Sequence, residues 1–79
     1  MSLESWKNQM ASLKQQLQTL KNYKSDAMKQ LDSIIAAQSN AATKRDYRER
    51  KKSKKEEWDS KITYLKSQID SLKRSKPQR

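Results

Sequence analysis

No cysteine and no histidine occur in the 79 residues, glycine is absent, and proline appears once, at Pro77. Missing thiols exclude disulfide staples, thiolate metal sites and cysteine redox chemistry, and they leave the compartment unmarked. Without His or Cys, acid–base work falls to nine carboxylates, and helix faces rich in lysine offer them no desolvated pocket. Glu56, Glu57 and Asp59 invite a metal reading, yet carboxylates interleaved with lysines on a surface helix read as ion-pair partners. The expectation is a non-enzymatic chain with no cofactor and no metal.

The absence of glycine removes the residue that most often marks a turn, while Lys, Gln, Leu, Ala and Glu favour helix. Apolar residues are scarce too: 32% of the chain is hydrophobic against 35% charged. A chain this short and polar cannot close a substantial globular core, so one domain spanning 1–79 is the ceiling. No apolar run approaches the roughly 20 residues that span a bilayer, and Met1 to Trp6 lacks the basic and apolar segments of a secretory signal. A soluble chain is expected, with the cytoplasm as its compartment and a membrane-surface role ranked last.

What the sequence does contain is a seam. Leu3, Trp6, Met10, Leu13, Leu17, Leu20, Ala27, Leu31 and Ile34 follow alternating steps of three and four, with Lys24 as the single break. Trp58, Ile62, Leu65, Ile69 and Leu72 repeat the pattern after a basic stretch. Such heptads mark helices that lie against other helices. The two frames differ by three residues: the first projects core positions onto Arg45, Arg48 and Lys52, the second onto Arg48, Lys51 and Lys55. One continuous coil would need a stammer, whereas a turn removes the conflict without strain.

Gln38 to Thr43 is the best place for that turn, with Ser39, Asn40 or Thr43 as N-cap and Asp46 completing a capping box after Thr43. Ser2 caps the first helix, with Glu4 in its first turn. The spacing therefore predicts an all-α fold, two long amphipathic helices in an antiparallel coiled-coil hairpin that pairs into a helical bundle. Helix 1 covers about 3–38, the turn about 39–43, helix 2 about 44–75, and a frayed tail 76–79. Antiparallel partners then have numbers summing to about 82. Leu20 faces Ile62, Leu17 faces Leu65, Leu13 faces Ile69, Met10 faces Leu72, and Trp58 stacks beside Tyr23 over Lys24.

Near the turn the match fails, because Leu31 and Ile34 confront Lys51 and Arg48, with Tyr47 the one large apolar surface nearby. Met28 and Ile35 widen the apolar face there. Met28, Leu31, Ile34, Ile35 and Tyr47 thus form a candidate interface, either for a second copy of the chain in a four-helix bundle or for a partner protein's helix.

Lys44 to Lys55 holds eight basic and two acidic residues, a net +6 of the chain's total of +10. Lys44, Arg45, Arg48, Arg50, Lys51, Lys52, Lys54 and Lys55 are the candidate polyanion contacts, with Arg48, Lys51, Lys52 and Lys55 on one helical face. Nucleic acid is the partner this run suggests; the competing reading is a solvated face with local pairs Asp46–Arg50, Glu57–Lys61 and Asp70–Arg74.

Asn40, Arg48-Glu49-Arg50-Lys51 and the heptad spacing of Trp58, Leu65 and Leu72 resemble a basic leucine-zipper region. That resemblance implies a parallel DNA-binding dimer, with Asn40 and Arg48 reading bases and Arg50 and Lys51 on the backbone. Thr43 and Lys44 stand where that family has paired alanines. In length and cysteine-free, two-helix character the chain is also similar to the small helical-hairpin accessory proteins of Gram-positive secretion systems, which implies an adaptor role.

Overall fold

The computed structural model describes residues 2–77 and consists of two helices, α1 (Leu3–Ala37) and α2 (Ala41–Arg74), of 35 and 34 residues. They pack antiparallel into the expected all-α hairpin. The rod measures 61 × 15 × 9 Å, and its radius of gyration is 18.1 Å against about 12 Å for a compact domain of this length.

Local chemistry sets each boundary. Ser2 Oγ accepts from Ser5 N at 3.1 Å to open α1. At its other end Gln38 N donates to the Ile35 carbonyl at 3.2 Å, and Gln38 Nε2 donates to the Ile34 carbonyl at 3.1 Å, so the backbone and side-chain amides of one residue close two orphan acceptors. Asn40 Oδ1 then accepts from Ala42 N at 2.8 Å and Thr43 N at 3.2 Å. The cap is therefore Asn40 and not Thr43, which shortens the turn to 38–40 and starts α2 at Ala41, three residues before the expected position. Gln38 and Asn40 have extended backbones (φ −81° and −89°), and no residue among those described has positive φ. A turn built from extended residues needs no glycine.

α2 ends at Arg74, where Ser75 N reaches back to the Ser71 and Leu72 carbonyls, each at 3.2 Å. Pro77 follows and disfavours helix at Lys76. Of the expected tail, Gln78 and Arg79 lie outside the described residues.

Burial is polarised along the rod. Met10, Ile62, Leu65, Ile69 and Leu72 are the buried side chains, and Trp6, Leu13 and Leu17 pack against the group formed by Met10, Ile69 and Leu72. Burying each such side chain fully contributes about 1.5–3 kcal/mol. Leu20 and Trp58 are half-buried. All five buried residues belong to the half remote from the turn. Trp6 Nε1 donates to the Leu72 carbonyl at 2.6 Å and fixes the two helices together at that open end.

Towards the turn the inward stripe of α1 leaves the heptad frame. Met28, Leu31 and Ile35 are half-buried, while Ile34, expected on the seam, is 39% exposed. A straight helix at 3.6 residues per turn drifts about 20° per heptad, close to one residue over four heptads. The drift carries Ile34 outward and turns Ile35 in.

Candidate functional site

At the turn end the basic segment sits directly on the first turns of α2, and the structure sorts its cations into two groups. Lys44 is half-buried. Lys51 faces α1 and donates to Asp32, so it leaves the row expected with Arg48, Lys52 and Lys55. Pairs this exposed contribute about 0–1 kcal/mol. Lys54 Nζ lies 3.5 Å from Glu57 Oε2, and the Arg50 guanidinium stacks 5.2 Å from the Tyr47 ring centre. Arg45, Arg48, Lys52 and Lys55 remain exposed, and no ion pair among the described residues engages them. Their spacing of three, four and three places them along one side of the helix.

Tyr47 and Leu31 line one groove with Asp46, Glu49, Arg50, Ser53 and Lys54. Tyr47 is thus the large apolar surface on Leu31's groove, as expected, and its cover is partial because Tyr47 is only half-buried. Met28, Leu31, Ile34, Ile35 and Tyr47 thus gather near the turn beside the basic row, with none of them fully covered.

Midway along the rod, Trp58 meets Tyr23 with ring centres 6.3 Å apart at 39°. The cation over Trp58 is Lys61, at 5.0 Å, and not Lys24. Lys24 instead donates to Asp59 across the hairpin. That hydrogen bond holds the Asp59 carboxyl below the ordinary aspartate range; desolvation opposes it, and the charges of Lys24, Lys55 and Lys66 add to it. Local pairing also differs from expectation at Glu57, which meets Lys54 in place of Lys61, and at Arg50, which lies over Tyr47 rather than bonded to Asp46.

The two long edges of the hairpin differ in character. One carries Gln9, Gln16 and Gln68 together with Lys61 and Tyr64. The other carries Lys7, Lys14 and Lys73 around a groove floored by Trp6, Met10 and Ala11. No pattern in the sequence joins Lys7 and Lys14 of α1 to Lys73 of α2, because that link requires knowing how α2 lies beside α1. The zipper-spaced Leu65 and Leu72 are buried within the hairpin, against α1 of the same chain. No helix among the described residues is long and apolar enough to cross a membrane.

Comparison with known proteins finds no matching family, no matching curated protein and no matching solved structure.

Proposed function

We propose that the chain is a non-enzymatic interaction module whose turn end is the binding end. There, Met28, Leu31, Ile34 and Ile35 with Tyr47 pack against a second copy of the hairpin, and the adjacent row Arg45, Arg48, Lys52 and Lys55 contacts a polyanion. The observation that carries this reading is the polarised burial: every buried side chain among the described residues belongs to the open end, while the turn half keeps its apolar residues partly exposed. An apolar strip left half-wet on a marginal rod is stabilised by a covering helix face. Self-association also multiplies the polyanion contact, since two rows bound together act at high effective concentration.

Light scattering of the wild type and an Ile34→Asp variant tests the first half of this reading. The wild type is expected as a dimer and the variant as a monomer of unchanged helicity, because Ile34 is exposed within the hairpin and its replacement costs that fold little. A wild type that stays monomeric at every concentration removes the self-association. Retention on an immobilised polyanion tests the second half. Arg48→Gln with Lys52→Gln should elute at lower salt than the wild type, and equal elution would remove the basic row.

A further inference from the structure

The basic run is only part of a longer feature. Beyond residues 44–55, Lys7, Lys14 and Lys73 line one open groove at the other end of the rod. Between the two ends, Lys55 and Lys66 both lie close enough to Asp59 to lower its pKa. Arg48 precedes Lys55 by one heptad, and Lys73 follows Lys66 by one heptad, so these four share a side of α2. We infer that the hairpin binds duplex nucleic acid along this whole edge, with lysines of both helices forming one rail of phosphate contacts. The inference rests on the polyanion reading above and replaces its local patch with a track.

Three observations and one electrostatic argument support the rail. Its members Lys7, Lys14, Arg48, Lys55, Lys66 and Lys73 are all exposed, and no ion pair among the described residues holds them. Asp59, the acid between Lys55 and Lys66, is already matched by Lys24, which leaves Asp70, one turn from both Lys66 and Lys73, as an exposed carboxylate beside the row. On the opposite side the cations are engaged: Arg50 on Tyr47, Lys54 with Glu57, Lys61 on Trp58. Finally, lysines that face one another across a groove repel in the free protein, and a polyanion relieves that repulsion.

Geometry narrows the ligand. From Arg48 to Lys73 the rail runs about 38 Å at 1.5 Å per residue, on the order of 11 base pairs at 3.4 Å each. A single strand is held largely by bases stacking on aromatic rings. The exposed tyrosines lie elsewhere, Tyr64 beside Gln9, Gln16 and Gln68, and Tyr23 against Trp58. A bilayer surface would require an apolar wedge on the charged edge, and the large exposed apolar residues Ile34, Tyr23 and Tyr64 do not line the Lys7–Lys73 groove. Trp6 and Met10 floor that groove, but Met10 is buried, and the half-buried Trp6 ring is tied to the Leu72 carbonyl and covered by Lys76 Nζ, 5.5 Å from its centre, so neither is free to stack on a base or enter a bilayer. A stiff rail of cations with no free ring or wedge suits the regular phosphates of a duplex.

The test is fluorescence anisotropy with a labelled duplex of about 20 base pairs, long enough to cover the rail. The edge variant carries Lys7→Gln, Lys14→Gln, Lys66→Gln and Lys73→Gln. A control of equal charge carries Lys29→Gln, Arg50→Gln, Lys61→Gln and Arg74→Gln, and circular dichroism checks both for helicity. The edge variant should lose at least about tenfold more affinity than the control, with a salt slope shallower by about 3–4. Equal losses in both would reduce the effect to bulk charge and overturn the rail. Tighter binding of the matching single strand, or of phosphatidylserine vesicles, would overturn the duplex assignment. In the wild type, bound duplex should protect Lys7 and Lys73 from acetylation more than Lys29; equal protection would count against the rail even if the variants unfold. Failure of the wild type to bind duplex would remove the nucleic-acid reading itself. Loss of binding in an Arg45→Gln, Arg48→Gln, Lys52→Gln, Lys55→Gln chain, with the edge variant unaffected, would keep the local patch and remove only the rail.

Discussion

Lys24 donates a hydrogen bond to Asp59 across the hairpin at the one seam position of α1 where the apolar stripe is interrupted. The interruption is therefore satisfied by a carboxylate on the other helix. It also coincides with the border between the well-buried open end and the half-covered turn end, with Trp58 and Tyr23 packed alongside.

That pair makes stability depend on pH in a stated direction. The Asp59 carboxyl titrates below its ordinary value of 3.8, chiefly because Lys24 donates to the ionised form. A depressed folded-state pKa means that the unfolded chain binds the proton first as pH falls. The contribution of Asp59 is thus complete above the ordinary value and is lost as pH drops through the folded one. Urea midpoints of the wild type and Asp59→Asn, followed from neutral pH to about pH 2, should differ at neutrality and converge in acid. A gap that stays constant across that range would show that the ionised pair adds nothing.

The open end is predicted to depend on Trp6 in two separable ways. Trp6→Phe keeps most of the ring but removes the donor to the Leu72 carbonyl, which still accepts from Ser75 N and from Ser75 Oγ at 3.1 Å. No acceptor is orphaned, so the cost should sit at the low end for a hydrogen bond, about 0.5–1 kcal/mol. Trp6→Ala also removes the packing against Met10 and Leu72, at about 2–3 kcal/mol for a half-buried ring. Denaturant unfolding of both variants measures the split, and equal losses would mean that the hydrogen bond carries the whole effect.

How much of this could be read from the chain varies by residue, and the reason is physical in each case. The grouping of Met10 with Leu72 follows from folding the chain back about the turn, because both lie where the two stripes are purely apolar. Asn40 as the cap was one of three candidates that composition alone could not rank, since Ser39 and Thr43 accept the same bonds. Strict heptad counting puts Ile34 on the seam, and helical drift puts Ile35 there instead. Lys51 looked like a member of the exposed row until Asp32, nineteen residues away, claimed it. The cationic edge was the least legible feature. Its halves lie on different helices, and no pattern within one segment reports which columns the fold brings side by side.

Polarised burial leads to a last prediction about motion. In a hairpin the turn normally keeps the adjoining helix ends close, and fraying is expected at the free ends. Here the turn half contains no buried side chain, whereas the open half contains all five of those found among the described residues. Local opening free energy follows buried apolar contact, so helical amides near Leu31, Ile35, Tyr47 and Lys51 should exchange with solvent faster than those near Leu13, Leu17, Leu65 and Ile69. Hydrogen exchange read by mass spectrometry or NMR would display the gradient directly. Adding a second copy's apolar strip at high protein concentration should slow exchange at the turn half first, because that is where cover is missing. Uniform protection along both helices at low concentration would mean that Met28, Leu31 and Ile35 already bury enough within one chain, and the turn half would then have no call for a partner.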